Sequence, residues 1–113
     1  MRQAGVLAAA GMYALDHHVD RLVDDHVNAR AIADRIASAV EGVVEPDDVA
    51  TNMVYLSTGS RPAADVVRQV GDRGVLIGAM DTHLLRLVTH MDVDAADCRR
   101  AADVVIEVLS TTR

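Results

Sequence analysis

The sequence predicts an α+β fold, with N-terminal helices followed by a small antiparallel sheet covered by helices on one face. Three observations predict it. Apolar residues recur at helical spacing from Val19 to Val40. The period then shortens: Thr51 to Ser57 and Leu84 to Thr89 are short runs rich in β-formers, bounded by turn residues. Finally, Asp94 precedes a last amphipathic segment and Asp97 follows three positions on, the spacing of a reciprocal helix cap.

Residues 3–15 are apolar nearly all the way round, and Gly5 and Gly11 permit close backbone approach. A helix of this kind has to be covered on most sides, and no other segment of the 113 residues is large enough to do so. Arg2 and the apolar run after it resemble the start of a signal peptide, but the run ends in Asp16-His17-His18 without a cleavage box. It is also too short to span a bilayer. A short Ala-rich helix that is buried by other structure is the better reading.

The second helix carries its apolar stripe on Val19, Leu22, Val23, His26, Ala29, Ala33, Ile36, Ala37 and Val40. Arg21–Asp25 and Arg30–Asp34 are i,i+4 ion pairs placed on the solvent side, and Glu41-Gly42 stops the helix. A short strand near Val43 is a further candidate. After the 51–57 strand, Ser60 reads as an N-cap with Pro62 in the first turn of a helix running to about Val70. Gly74 to Ala79 and Leu84 to Thr89 read as strands joined by a turn near Asp81. The last helix buries Cys98, Ala102, Val105 and Leu109, with Val93 and Cys98 as a hydrophobic staple. The chain thus divides into linking helices at 1–42 and a small α+β domain at 43–113.

Half the residues are hydrophobic, which rules out disorder by composition. Phe and Trp are absent, and Tyr13 and Tyr55 are the only aromatics, so Ala, Val and Leu fill a low-volume core. A net charge of −6 with scattered arginines excludes a nucleic-acid partner. One cysteine excludes an internal disulfide and points to a reducing, cytoplasmic setting. No lysine occurs anywhere; arginine takes its place on the surface, but the chemical consequence of having no amine side chain stands.

Arg86 is the most informative residue. It lies within Leu84-Leu85-Arg86-Leu87-Val88, otherwise wholly apolar, and a guanidinium there needs an anion. That anion is either a local aspartate or a ligand carboxylate gripped by the planar fork. Arg2, beside a helix start, suits a phosphate, although an ordinary exposed arginine explains its spacing equally well. The histidines form no metal site: His17 and His18 point to different faces, His26 lies on the apolar stripe as a core histidine, and His83 and His90 flank the Arg86 strand. His90 would share the face of Arg86 as a supporting neighbour. Cys98 reads as a small buried hydrophobe. No residue of the chain is assigned a catalytic role.

The run Met1-Arg2-Gln3-Ala4-Gly5-Val6-Leu7-Ala8-Ala9-Ala10-Gly11, then Tyr13-Ala14-Leu15, resembles the opening of the C-terminal part of L-threonine aldolases. Asp25-His26-Val27-Asn28-Ala29, Thr51-Asn52-Met53-Val54 and Arg86-Leu87-Val88-Thr89-His90-Met91-Asp92-Val93 follow in that family's order. The resemblance spans the whole chain. It implies the small-domain end of a pyridoxal-phosphate lyase with aspartate-aminotransferase-like (fold type I) architecture. The reaction it implies is cleavage of the β-hydroxy amino acids threonine and allo-threonine to glycine and acetaldehyde. It further implies that Arg86 holds the substrate carboxylate, that Arg2 lies near the cofactor phosphate, and that the enzyme is a homo-oligomer.

The family's Schiff-base lysine, cofactor-stacking histidine and pyridine-pairing aspartate would all lie upstream of Met1. The expectation is therefore a fragment or mis-started frame, with no large cofactor-binding domain, inactive alone and binding no cofactor by itself. Two other readings stand beside it: a stand-alone interaction or oligomerisation module that has lost catalysis, and the end of another fold type I β-hydroxy amino acid lyase.

Overall fold

The computed structural model describes residues 2–111. Four helices, α1 (Ala4–His17), α2 (Leu22–Ala39), α3 (Ala63–Gly71) and α4 (Ala95–Ser110), accompany three strands, β1 (Met53–Ser57), β2 (Gly78–Ala79) and β3 (Leu84–Val88). The sheet is antiparallel in the order β1-β3-β2, so the strand carrying Arg86 is central. Burial alternates along β1 and β3, and Val54, Leu56, Leu85 and Leu87 turn inward beneath α2, α3 and α4. The other face of the sheet is open. This is the expected α+β arrangement with helices on one face.

The core is built as the composition requires. Ile36, Leu56 and Leu85 are its largest fully buried side chains, and Ala29, Ala33, Ala63 and Ala102 let the helices approach closely. Helices α2 and α4 pack most extensively on each other. Arg35 reinforces that contact from outside, its Nε donating to Asp103 Oδ1 at 2.6 Å, and the same guanidinium holds the Asp103 carboxyl below the usual carboxylate range. The start of α4 is capped as read: Asp97 N–H donates to Asp94 Oδ1 (2.8 Å) and Asp94 N–H donates to Asp97 Oδ2 (3.1 Å). Cys98, Ala102, Val105 and Leu109 are buried, and burial pushes the Cys98 thiol up. Helix α2 ends at Val40 in an extended conformation, so Gly42, at φ +79°, turns the chain two residues beyond the cap and is not the C-cap that Glu41-Gly42 suggested.

Several local expectations are corrected. The stripe of α2 is rotated in its first half: Val19, Leu22, Val23 and His26 are exposed, and the buried residues are Asp25, Ala29, Ile32, Ala33 and Ile36. His26 is therefore not a core histidine. Arg21 and Asp25 do pair, at 2.6 Å, but Asp25 lies inside and only 3% exposed. The carboxylate tolerates burial because it takes two guanidinium bonds in the first turn of α2, where the helix dipole favours negative charge. Ser60 does not cap α3. The helix starts at Ala63 with Pro62 in the cap position and no side-chain cap, and the Thr58 hydroxyl donates to Arg61 O (2.6 Å) instead. Residues 74–77 form no strand, so β2 is two residues long, Gly78–Ala79. No strand forms near Val43, whose carbonyl accepts from Ser57 N–H (2.8 Å).

Helix α1 buries none of its residues. Val6, Leu7, Met12, Tyr13 and Leu15 all stand exposed, Leu15 at 71%. An apolar surface this continuous drives association in water. The purified chain is expected to self-associate, and Leu7→Glu with Leu15→Glu to shift it toward monomer in sedimentation velocity. A wild-type chain that sediments as a single monomer and melts cooperatively would contradict this.

Candidate functional site

The open face of the sheet presents Met53, Tyr55 and Ser57 from β1 beside Leu84, Arg86 and Val88 from β3. Arg86 is opposite Tyr55 on one side and opposite Gly78 on the other. The ladder fixes how close these neighbours come. Thr89 N–H donates to Asn52 O (2.9 Å) and Thr58 N–H donates to His83 O (3.0 Å), so every second pair between them is hydrogen-bonded. Tyr55 and Arg86 fall on the alternate, non-hydrogen-bonded pairs, where Cα atoms lie about 4.5 Å apart and side chains are nearest. On the far side, Gly78 contributes no side chain to the face. Arg86 thus stands between a phenol and a gap.

Arg86 is half-buried. Among the described residues it makes no ion pair, although six other arginines do or hydrogen-bond a side-chain oxygen: Arg21, Arg30, Arg35, Arg61, Arg68 and Arg73. The local aspartate that would have explained it as a structural ion pair is absent from this face. A planar guanidinium fork of this kind is able to take a carboxylate bidentately. The expected role of His90 finds no geometric support. Its Nδ1 accepts from Asp92 N–H (3.2 Å), and His83 Nδ1 lies 3.0 Å from Arg61 O, so neither ring hydrogen-bonds Arg86 among the described residues.

The end of the ladder is pinned by a buried junction. Thr89, 1% exposed, donates its hydroxyl to Asp25 O (2.7 Å), and Asn52 Nδ2 donates to Thr89 O (2.8 Å). Asp25 in turn is held by Arg21. A slip of one residue would turn Arg86 into the core, and this junction opposes that slip by tying the end of β3 to α2 and the start of β1 to the end of β3. Three stretches that are far apart in sequence, around Asp25, Asn52 and Thr89, meet here.

A family model described as beta-eliminating lyase matches residues 1–58. That is over half of the chain. The chain belongs to the beta-eliminating lyase family. Over 93 residues, 82% of its length, it is 45% identical to a low specificity L-threonine aldolase of Escherichia coli O157:H7 and covers 26% of that relative. The corresponding protein of Escherichia coli strain K12 is 44% identical over 93 residues. A probable low-specificity L-threonine aldolase 2 of Arabidopsis thaliana is 34% identical over 100 residues, with 28% of its length covered. This lyase-family chain therefore spans about a quarter of the curated relatives it matches. The family-model match ends at Thr58 and holds α1, α2 and β1; Arg86, Gly78 and α4 lie beyond it.

Arg2 lies exposed ahead of α1, whose first turn has no acidic residue and whose cap position, Gln3, has no side-chain cap bond. It is not part of the Arg86 face. Tyr55 and Gly78 are the residues that reading the sequence did not mark. Tyr55 carried a signal, as one of two aromatics in the chain; Gly78 carried none. Among the described residues no helix is long and apolar enough to cross a membrane.

Proposed function

We propose that this chain supplies the substrate-carboxylate end of an enzyme that cleaves threonine and allo-threonine to glycine and acetaldehyde with pyridoxal phosphate. The observation that carries the proposal is Arg86, unpaired among the described residues on an open sheet face, in a chain 45% identical to a low specificity L-threonine aldolase. In this reading residues 1–42 lead from a cofactor-binding domain and 43–113 form the small domain. The guanidinium binds the amino acid carboxylate through two parallel N–H donors, which fixes the orientation of the Cα–Cβ bond to be broken. Tyr55 walls one side of the carboxylate and limits water there.

Pyridoxal phosphate acts as an electron sink when bound. The residues of this chain do not by themselves fit it, because its covalent attachment needs a lysine amine and the 113 residues contain none. Arg2 and the free N–H groups at the start of α1 suit its phosphate. The lysine has to come from polypeptide other than this sequence, so these 113 residues alone are inactive and work within a cytoplasmic homo-oligomer together with a lysine-bearing cofactor domain. A stand-alone oligomerisation module is the second reading, and the bare surface of α1 is what favours it.

Complementation separates the two. The chain is co-expressed with the part of the Escherichia coli strain K12 relative that it does not cover, and acetaldehyde release from L-threonine is measured. Activity is expected only when both parts are present and co-purify. A co-purifying pair that leaves threonine intact favours the module reading, and cleavage by the chain alone refutes the proposed inactivity.

A further inference from the structure

Gly78 pairs with Arg86 in the β2–β3 register, and paired residues of an antiparallel sheet project to the same face. The position therefore faces the same space as the guanidinium, and it holds no side chain. Nothing in the backbone demands glycine there: Gly78 is not at positive φ, unlike Gly42, Gly59 and Gly74. Nor does packing demand it. A Cβ at Gly78 would meet only Arg86 O, at an ordinary 3.8 Å. Contrast Gly74, where φ is +85° and a Cβ would lie 3.3 Å from the Arg100 guanidinium. Glycine within a strand weakens it and marks a place where a ligand or another backbone comes close.

We propose that Gly78 is a specificity-determining position, whose missing side chain keeps open the space through which a carboxylate ligand reaches Arg86. The inference rests on the carboxylate role of Arg86 and deepens it. The notch is asymmetric. Tyr55 closes the β1 side at the shortest cross-strand separation, so the β2 side is the one left for the ligand. Leu84 and Val88 lie along β3 at either end, which directs the ligand across the strands. Gly78 fits an α-amino acid carboxylate, a small planar anion with a tetrahedral carbon directly behind it. A β-branched residue at 78 would fill the volume that this carbon needs, while the fold would lose nothing.

The test uses the full 113-residue chain, 15N-labelled, with the Arg86 Nε–H signal assigned through R86K and titrated with L-threonine at constant ionic strength. Wild type is expected to show a saturable shift. Gly78→Val is expected to weaken the apparent affinity by about tenfold or more, and Gly78→Ala by a smaller factor, with melting temperatures at or above that of wild type. A purely structural glycine would give the reverse pattern, a lowered melting temperature with affinity unchanged. If the wild-type signal does not respond to L-threonine, the carboxylate role of Arg86 falls and the role of Gly78 with it. If wild type responds and Gly78→Val responds equally, the role of Gly78 alone is overturned. Should Gly78→Val lose its melting transition, Gly78→Ala decides on the same two readouts.

Discussion

Arg86→Leu is expected to lower kcat/KM for threonine by roughly 10- to 150-fold in the complemented enzyme, the range set by about 1.5–3 kcal/mol for a hydrogen bond to a charged group. Most of the loss should fall on KM, because the carboxylate is held alike in the ground and transition states, and interactions of that kind add uniform binding. A part falls on kcat if the grip also fixes the orientation of the bond that breaks. Arg86→Lys should recover only a fraction, since an ammonium is a point charge and cannot offer two parallel donors. Stability should barely change. Arg86 makes no ion pair among the described residues and sits on the open face, so leucine there removes a half-buried charge and leaves no partner stranded. Steady-state kinetics with melting curves check both halves. An Arg86→Leu enzyme with kcat/KM within about twofold of wild type would end the carboxylate assignment.

The layered α+β fold was legible because its signals are local. The capping spacing of Asp94 and Asp97 and the alternation in Leu84 to Val88 each act within one element, and each is present in the structure. The errors arise where a long-range contact decides. His26 lies on a formally apolar stripe, but that stripe assumes that the first turn of α2 faces the core through Leu22 and Val23. In the structure Asp25 is buried, with its backbone carbonyl accepting from the Thr89 hydroxyl and its carboxylate held by Arg21, and His26 faces out. The same holds for the site. Arg86 was visible as a charge in an apolar strand, while its setting between Tyr55 and Gly78 depends on a register joining residues 31 and 8 positions away. The bare helix α1 was legible from composition alone, since no other segment of the chain could cover it.

Leu85→Ala should be the most damaging single truncation in the core. Leu85 is fully buried on the central strand, opposite Leu56 on β1 and Ala79 on β2. A core without Phe or Trp gives a void there little chance to close, because the surrounding Val and Ala side chains are short and stiff and cannot swing into it. The expected cost is about 3–5 kcal/mol, the upper part of the usual range for leucine truncation. Against a typical total of roughly 5–15 kcal/mol, that removes a large share of the stability of the domain. The melting temperature should fall by about 10–20 °C. Leu56→Ala should cost a similar amount, and the double variant less than the sum, since the two side chains are cross-strand neighbours and leave one shared void. Leu76→Ala is the control: Leu76 is 93% exposed, so its truncation should stay within about 0.5 kcal/mol. Denaturant titrations of the four variants give these differences directly. Equal costs for Leu85→Ala and Leu76→Ala would mean that the sheet and helices do not share one core, and that the strand carrying Arg86 is not held in place by packing.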